Sequence, residues 1–114
     1  MHVLDDHDGP TCVAFLKGSA DVANHDLFQK AMVDAERHPS KYIVLDIREL
    51  TFLTSLAVGE ILKLYKAKKK DGGNVLIAGA NQYIDGVFKA ARLSGVIAML
   101  PTVDEAVAAG ARAS

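Results

Sequence analysis

Thr54 and Ser55 are adjacent hydroxyl side chains, placed where the run Leu50-Thr-Phe-Leu53 gives way to Leu56-Ala-Val-Gly59 and a helical pattern begins. Two kinds of chemistry suit them. A Ser or Thr at a helix N-cap accepts a hydrogen bond from an open backbone N–H and contributes about 1 kcal/mol. A Ser at that point can also take a phosphoryl group, because exposed N–H groups and the helix dipole stabilise an anion there. A phosphate so placed would block any partner docked on the helix. Gly59 lies one turn beyond Ser55, on nearly the same side. A glycine inside a helix costs up to ~1 kcal/mol relative to Ala, so it has a reason. Either helix and sheet pack closely there, or another backbone approaches from outside.

The other reactive side chains do not assemble into a site. His2, His7, His25 and His38 fall at a strand end, a turn, a helix start and a helix exit, with no metal-ligand spacing and no Cys beside a His. Asp5, Asp6, His7 and Asp8 form an acidic turn, which is ordinarily solvated. Cys12 falls inside a strand, where a buried inert thiol is the default. Lys66 and Lys68 to Lys70 read as a solvated helix end. The chain has no GxGxxG, GxxxxGK[ST], HExxH or GxSxG motif and no nucleophile–base pair, so it reads as non-enzymatic, with no cofactor and no metal.

The elements that must position the hydroxyl pair follow from punctuation and periodicity. HVLD and TCVAFLKG read as two strands around an Asp/Gly/Pro turn, hence an antiparallel hairpin. A helix over about Asn24–Glu36 carries the stripe Leu27, Phe28, Ala31, Met32 and Ala35, and Pro39 stops it. YIVLDI, residues 42–47, is nearly all apolar, as a strand covered on both faces is. A short loop then leads to the second helix, near Ser55, with Val58, Ile61, Leu62 and Tyr65 on one face and Gly72-Gly73 at its end. NVLIAG is a strand, followed by a helix with Ile84, Val87, Phe88 and Ala91 inward. VIAML is the last strand, and Thr102-Val-Asp-Glu105 is a capping box opening a fourth helix over about Val103–Ala111. The order β-β-α-β-α-β-α-β-α predicts an α/β fold: a mixed sheet with parallel strands after the hairpin, flanked by about four helices. Sites in such sheets gather at the carboxyl ends of the parallel strands, where residues 48–55 fall.

Composition sets outer bounds. A chain of 114 residues reads as one domain, residues 1–114. No stretch approaches the roughly 20 apolar residues that span a bilayer, which argues against membrane insertion. The start, MHVLDDHDGP, is short and acidic, unlike a secretory leader. The single cysteine cannot form an internal disulfide and fits a reducing compartment, so the expected location is cytoplasmic. A net charge of −1 and the absence of Trp give neither the electrostatic footprint nor the stacking platform of a nucleic-acid binder.

Several segments in this order resemble the STAS domain, and within it the bacterial anti-sigma-factor antagonists. Gly18-Ser-Ala-Asp21 is similar to the family's early Gly-x-x-Asp. Ile43–Leu53 is similar to its strand and loop, KKKDGGNVLIAGANQYIDGVFKAARLSGV to its turn, strand, helix and exit, and TVDEAV to the start of its last helix. The resemblance implies a STAS-like fold and transcription regulation by partner switching. An unphosphorylated antagonist binds an anti-sigma factor that is also a serine kinase. Phosphorylation of one Ser at the start of the second helix breaks the complex, and a phosphatase restores it. The family's Asp-Ser-Ser/Thr-Gly-Leu-Gly motif lays its phosphorylated Ser on Ser55 and its last Gly on Gly59. Thr54 stands where the motif has Asp, Leu56 where it has the second hydroxyl, and Ala57 where it has the first Gly. The resemblance thus makes Ser55 the first candidate phosphoacceptor and Thr54 the second. Asp21, Thr54, Ser55, Leu56 and Gly59 become the expected partner-binding residues. The alternative is an unphosphorylated assembly or accessory STAS subunit, of a stressosome-type scaffold or a transporter, in which Thr54 and Ser55 only cap.

Overall fold

The computed structural model of the chain describes residues 2–6 and 11–112. Within them run β1 (His2–Asp6), β2 (Thr11–Ala20), α1 (His25–Arg37), β3 (Tyr42–Leu53), α2 (Ser55–Lys70), β4 (Asn74–Ala78), α3 (Gln82–Ala90), β5 (Ala98–Leu100) and α4 (Val103–Arg112). The strands form one sheet in the order β1-β2-β3-β4-β5. β1 is antiparallel to β2, and the later pairs are parallel. This is the predicted mixed α/β architecture. Of the acidic turn, His7 and Asp8 lie outside the described residues.

Both faces of the sheet are covered, which is why Tyr42–Ile47 is so apolar. Ile43, Leu45 and Ile47 point into the larger core with Phe28 and Met32 of α1, Ile61 of α2 and Phe88 of α3. Val44 points the other way, onto Val13, Leu76 and Ala106, where α4 packs. Cys12 is buried in β2. Thr102 Oγ1 accepts from the Glu105 N–H at 3.1 Å, which caps α4 as its sequence predicts.

Several expectations change. Leu27 is not on the inner stripe of α1. It is 53% exposed, because it sits about 100° around the helix from Phe28. In α2 the buried residues are Ala57, Val58, Ile61, Leu64 and Lys68, so the inner face is rotated roughly a quarter turn from the predicted one. Leu62 and Tyr65 are half-buried at its margin. Ala91 caps the end of α3 and is exposed, and β5 is three residues long, with Val96 outside it.

Lys68 also departs from expectation. It is not part of a solvated helix end but is 5% exposed, with Nζ donating to the His38 and Ser40 carbonyls at 2.8 Å each. This clamps the end of α2 to the connection between α1 and β3. Burial pushes the Lys68 pKa below its ordinary value.

The last change concerns the site directly. Residues 48–53 are not a loop; β3 continues to Leu53. β4 leaves β3 at Asp46↔Ala78, whereas β2 stays paired to Ala20↔Leu53. The end of β3 is therefore a two-stranded ribbon with β2. Phe15↔Asp46 is followed by Lys17↔Glu49, and Gly18↔Leu50 by Ser19↔Phe52. At each step β3 holds one residue more than β2, as in a β-bulge.

Candidate functional site

The ribbon delivers the chain to α2. The Thr54 N–H donates to the Ala20 carbonyl at 3.1 Å, so the last pairing of the ribbon sets the position of the helix start. Thr54 has extended backbone, and its Oγ1 accepts from the Ala57 N–H at 3.1 Å. Its carbonyl accepts from the Val58 N–H at 3.0 Å. Thr54 is therefore the N-cap. Ser55 is the first helical residue, and its side chain is exposed. The two hydroxyls divide the roles that the sequence left open: one caps, and the other is accessible.

A prediction follows for the cap. Thr54→Ala should lose about 1 kcal/mol of stability, and Thr54→Asp should stay within a few tenths of the parent, because Asp caps equally well. Urea denaturation of both variants checks this.

Asp21 closes the turn between β2 and α1. Its carboxylate accepts from Ser19 Oγ and from the Asn24 N–H, both at 3.0 Å. Because Ala20 is bonded to Thr54, this turn lies beside the start of α2. Val22, the next residue, is 74% exposed. On the other side, Asn81 caps α3 through Ile84 N–H and reaches back with Nδ2 to the Leu50 carbonyl, 3.3 Å away. That ties the start of α3 to the ribbon. Tyr83 then stacks on Phe52, with ring centroids 5.6 Å apart.

The result is a group of exposed apolar side chains on the segments that meet at the start of α2. Among the described residues, the exposed large hydrophobics are Val22, Leu27, Val33, Phe52, Leu56, Tyr83 and Val96. Four of them, Val22, Phe52, Leu56 and Tyr83, stand on the three segments that meet at Ser55. Apolar side chains gathered in this way mark an interaction surface, whereas single scattered ones do not. Gly59 is exposed, and a methyl added to it would meet no atom within 4 Å. Close packing on the sheet is therefore not its reason, and the space outside it is open.

Within α2 itself, the helix start favours an anion at Ser55. The first turn of α2 contains no acidic residue, so the positive end of the helix dipole is unopposed within it. Thr54 uses the Ala57 and Val58 N–H groups, which leaves those of Ser55 and Leu56 without acceptors among the described residues. No group of three or more His, Cys, Asp or Glu among those residues could hold a metal ion. No helix among them is long and apolar enough to cross a membrane.

Sequence reasoning placed Asp21, Thr54, Ser55, Leu56 and Gly59 at this end of the fold, and the structure brings them together. It missed Val22, Phe52 and Tyr83. The available signal was Tyr83, an aromatic residue off the Ile84/Val87/Phe88 stripe of α3.

The STAS domain family profile matches residues 3–106. The chain belongs to the STAS domain family. This STAS domain is 28% identical over 108 residues to an anti-sigma F factor antagonist of Paenibacillus polymyxa, a match covering 94% of the chain and 90% of the relative. Its fold is similar to the crystal structure of an anti-sigma factor antagonist from Mycobacterium paratuberculosis, with TM-score 0.84, 17% identity, and 97% and 93% of the two chains covered. It is also similar to the Bacillus cell-fate determinant SpoIIAA in its phosphorylated form, with TM-score 0.72, 20% identity, and 95% and 97% covered. In this STAS domain Thr54 caps α2 through the hydrogen bond that its Oγ1 accepts from the Ala57 N–H.

Proposed function

We propose that this STAS domain is a cytoplasmic, non-enzymatic anti-sigma-factor antagonist that acts by partner switching and is controlled by phosphorylation of Ser55. The observation that carries the reading is the exposed Ser55 at the mouth of α2, where the segments bearing the exposed Val22, Phe52, Leu56 and Tyr83 meet. The similarity to an anti-sigma F factor antagonist supports an anti-sigma factor as the partner class, and in this proposal that partner is also the kinase. Ser55 is preferred over Thr54 as acceptor because the Thr54 hydroxyl is engaged as a cap. A phosphatase would reset the switch.

The test is an intact-mass measurement after incubation with the host's kinase-type anti-sigma factor and Mg-ATP, followed by peptide mapping. One added phosphate on Ser55 is the expected result. A phosphate on Thr54 would move the site. A complex without phosphate would leave a docking surface with no switch. Absence of both complex and phosphate would favour the accessory-subunit reading.

Gly59→Ala gives a second check. It should raise the stability of the isolated domain by roughly 0.5–1 kcal/mol, because Ala is the better helix former and meets no clash. The same methyl should weaken the complex severalfold by holding the partner backbone away. Equal affinity of the parent chain and the Gly59→Ala variant in a titration would remove that part of α2 from the interface.

A further inference from the structure

The outward face of α2 is basic along the line that starts at Ser55. Ser55, Gly59, Leu62, Lys66 and Lys70 stand at i, i+4, i+7, i+11 and i+15, so they run along one side of the helix. At about 100° per residue, Lys63 and Lys69 lie within roughly a quarter turn of that line. Ala57, Val58, Ile61, Leu64 and Lys68 take the buried side. Lys63, Lys66, Lys69 and Lys70 are all exposed. The side of α2 that opens with Ser55 and Gly59 therefore ends in four ammonium groups.

Little in the chain offsets this charge. α2 holds five lysines and one acid, Glu60, in a chain whose formal net charge is −1. Glu60 accepts from Lys63 Nζ at 3.3 Å and from Gln29 Nε2 at 3.5 Å. Lys69 Nζ lies over the Tyr65 ring, 6.0 Å from its centroid. Among the described residues, Lys66, Lys69 and Lys70 make no ion pair with a carboxylate. The helix dipole gives a reason for cations in the last turn, where Lys68, Lys69 and Lys70 stand. Lys63 and Lys66 come before that turn, so the dipole does not account for them.

Distance along the helix decides which lysines a partner reaches. At about 1.5 Å per residue, Lys63 stands about 12 Å from Ser55, Lys66 about 16 Å and Lys70 about 22 Å. A standard interface covers about 800 Å² of each partner, and a round patch of that area reaches roughly 16 Å from its centre. A partner centred on Ser55 thus has its rim at Lys63 and Lys66. We propose that these two lysines, with Lys69 and Lys70 behind them, meet an Asp- and Glu-rich surface of the anti-sigma factor and steer its approach. The inference rests on the antagonist reading. An acidic protein surface is favoured over nucleic acid or an anionic membrane on two grounds. The stripe runs on from the exposed apolar side chains at the start of α2, and the chain outside α2 is net acidic, which repels an extended polyanion. Charges at a rim change association and its salt dependence more than dissociation.

The experiment measures association and dissociation rates of the full chain with the host's anti-sigma factor in about 50 and about 300 mM NaCl, where the Debye length falls from roughly 14 Å to roughly 6 Å. K63E/K66E should slow association at least tenfold at the lower salt and no more than about threefold at the higher, with dissociation within about twofold of the parent. K69E/K70E, beyond the patch, should slow association by less than about fivefold at the lower salt. Both variants should melt within a few degrees of the parent, because all four side chains are exposed. The proposal is overturned if the parent chain binds and K63E/K66E associates at the parent rate, or if its lost affinity lies in dissociation at both salt concentrations. Salt-dependent binding of the parent chain to phosphatidylserine vesicles or to duplex DNA, abolished in K63E/K66E, would assign the stripe to a membrane or to nucleic acid and overturn it too. A parent chain that binds no anti-sigma factor would remove the antagonist reading and this inference with it.

Discussion

Ser55→Asp is expected to weaken binding of the anti-sigma factor at least tenfold, while Ser55→Ala changes it less than threefold. The difference is set by what surrounds the hydroxyl. A partner seated over Val22, Phe52, Leu56 and Tyr83 removes water from Ser55. A neutral hydroxyl or a methyl tolerates that. A carboxylate enclosed without a cation costs several kcal/mol in desolvation. The dipole at the start of α2 returns only about 0.3–1 kcal/mol. The balance exceeds the roughly 1.4 kcal/mol that corresponds to tenfold. The same dipole acts in the free domain, where the carboxylate stays hydrated. Ser55→Asp should therefore leave the melting temperature unchanged or slightly raised while affinity falls. Calorimetric titration and thermal denaturation of the same preparation separate the two effects, and a parallel fall in both would mean that the variant unfolds the site. A phosphate, with about −1.5 to −2 charges, should weaken the complex further.

Lys68→Ala is expected to lose about 3 kcal/mol of stability, and Lys69→Ala and Lys70→Ala no more than about 0.5 kcal/mol each. Three consecutive lysines thus split by function. Lys68 satisfies the His38 and Ser40 carbonyls from a buried position. Hydrogen bonds from a charged donor contribute about 1.5–3 kcal/mol each, and truncation leaves both carbonyls short of a partner. Lys69 and Lys70 are exposed. For a domain of this size the predicted loss corresponds to a melting shift on the order of 10 °C. Lys68→Met, which keeps most of the stem, should fall between. A shift of a degree or two for Lys68→Ala would show that water replaces the ammonium without cost.

Lys68 also shows where the sequence misleads. Ala57, Ile61, Leu64 and Lys68 recur at i, i+4, i+7 and i+11, so the lysine lies on the buried stripe by spacing alone. Its neighbours in KKKDGG suggest a solvated end, and composition outweighed position. The order and type of the elements were legible, because YIVLDI and NVLIA are apolar on both faces and the helices are punctuated by Pro, Gly and caps. The end of β3 was not legible. Its burial after Ile47 runs exposed, exposed, buried, exposed, exposed, buried, a period of three imposed by the two extra residues. A search for strict alternation finds no strand there. The hydroxyl pair itself was legible as a helix start, but the division of labour between Thr54 and Ser55 depends on one hydrogen bond that no spacing encodes. Tyr83 of α3 reaches back to Phe52 of β3 with all of α2 and β4 between them in the chain, a separation that local patterns do not register.

The bulged ribbon of β2 and β3 has a consequence for how a complex forms. The segment that carries Phe52 and Thr54 is held by a ladder to Lys17–Ala20, so it does not have to freeze when a partner arrives. Ordering a loose segment of that length would cost on the order of 1 kcal/mol or more per residue. A preorganised face retains that free energy as affinity. Differences among variants of this face should then emerge as changes in residence time, with association rates nearly constant. The amide protons of Thr54 and of the ribbon should exchange slowly with solvent already in the free protein.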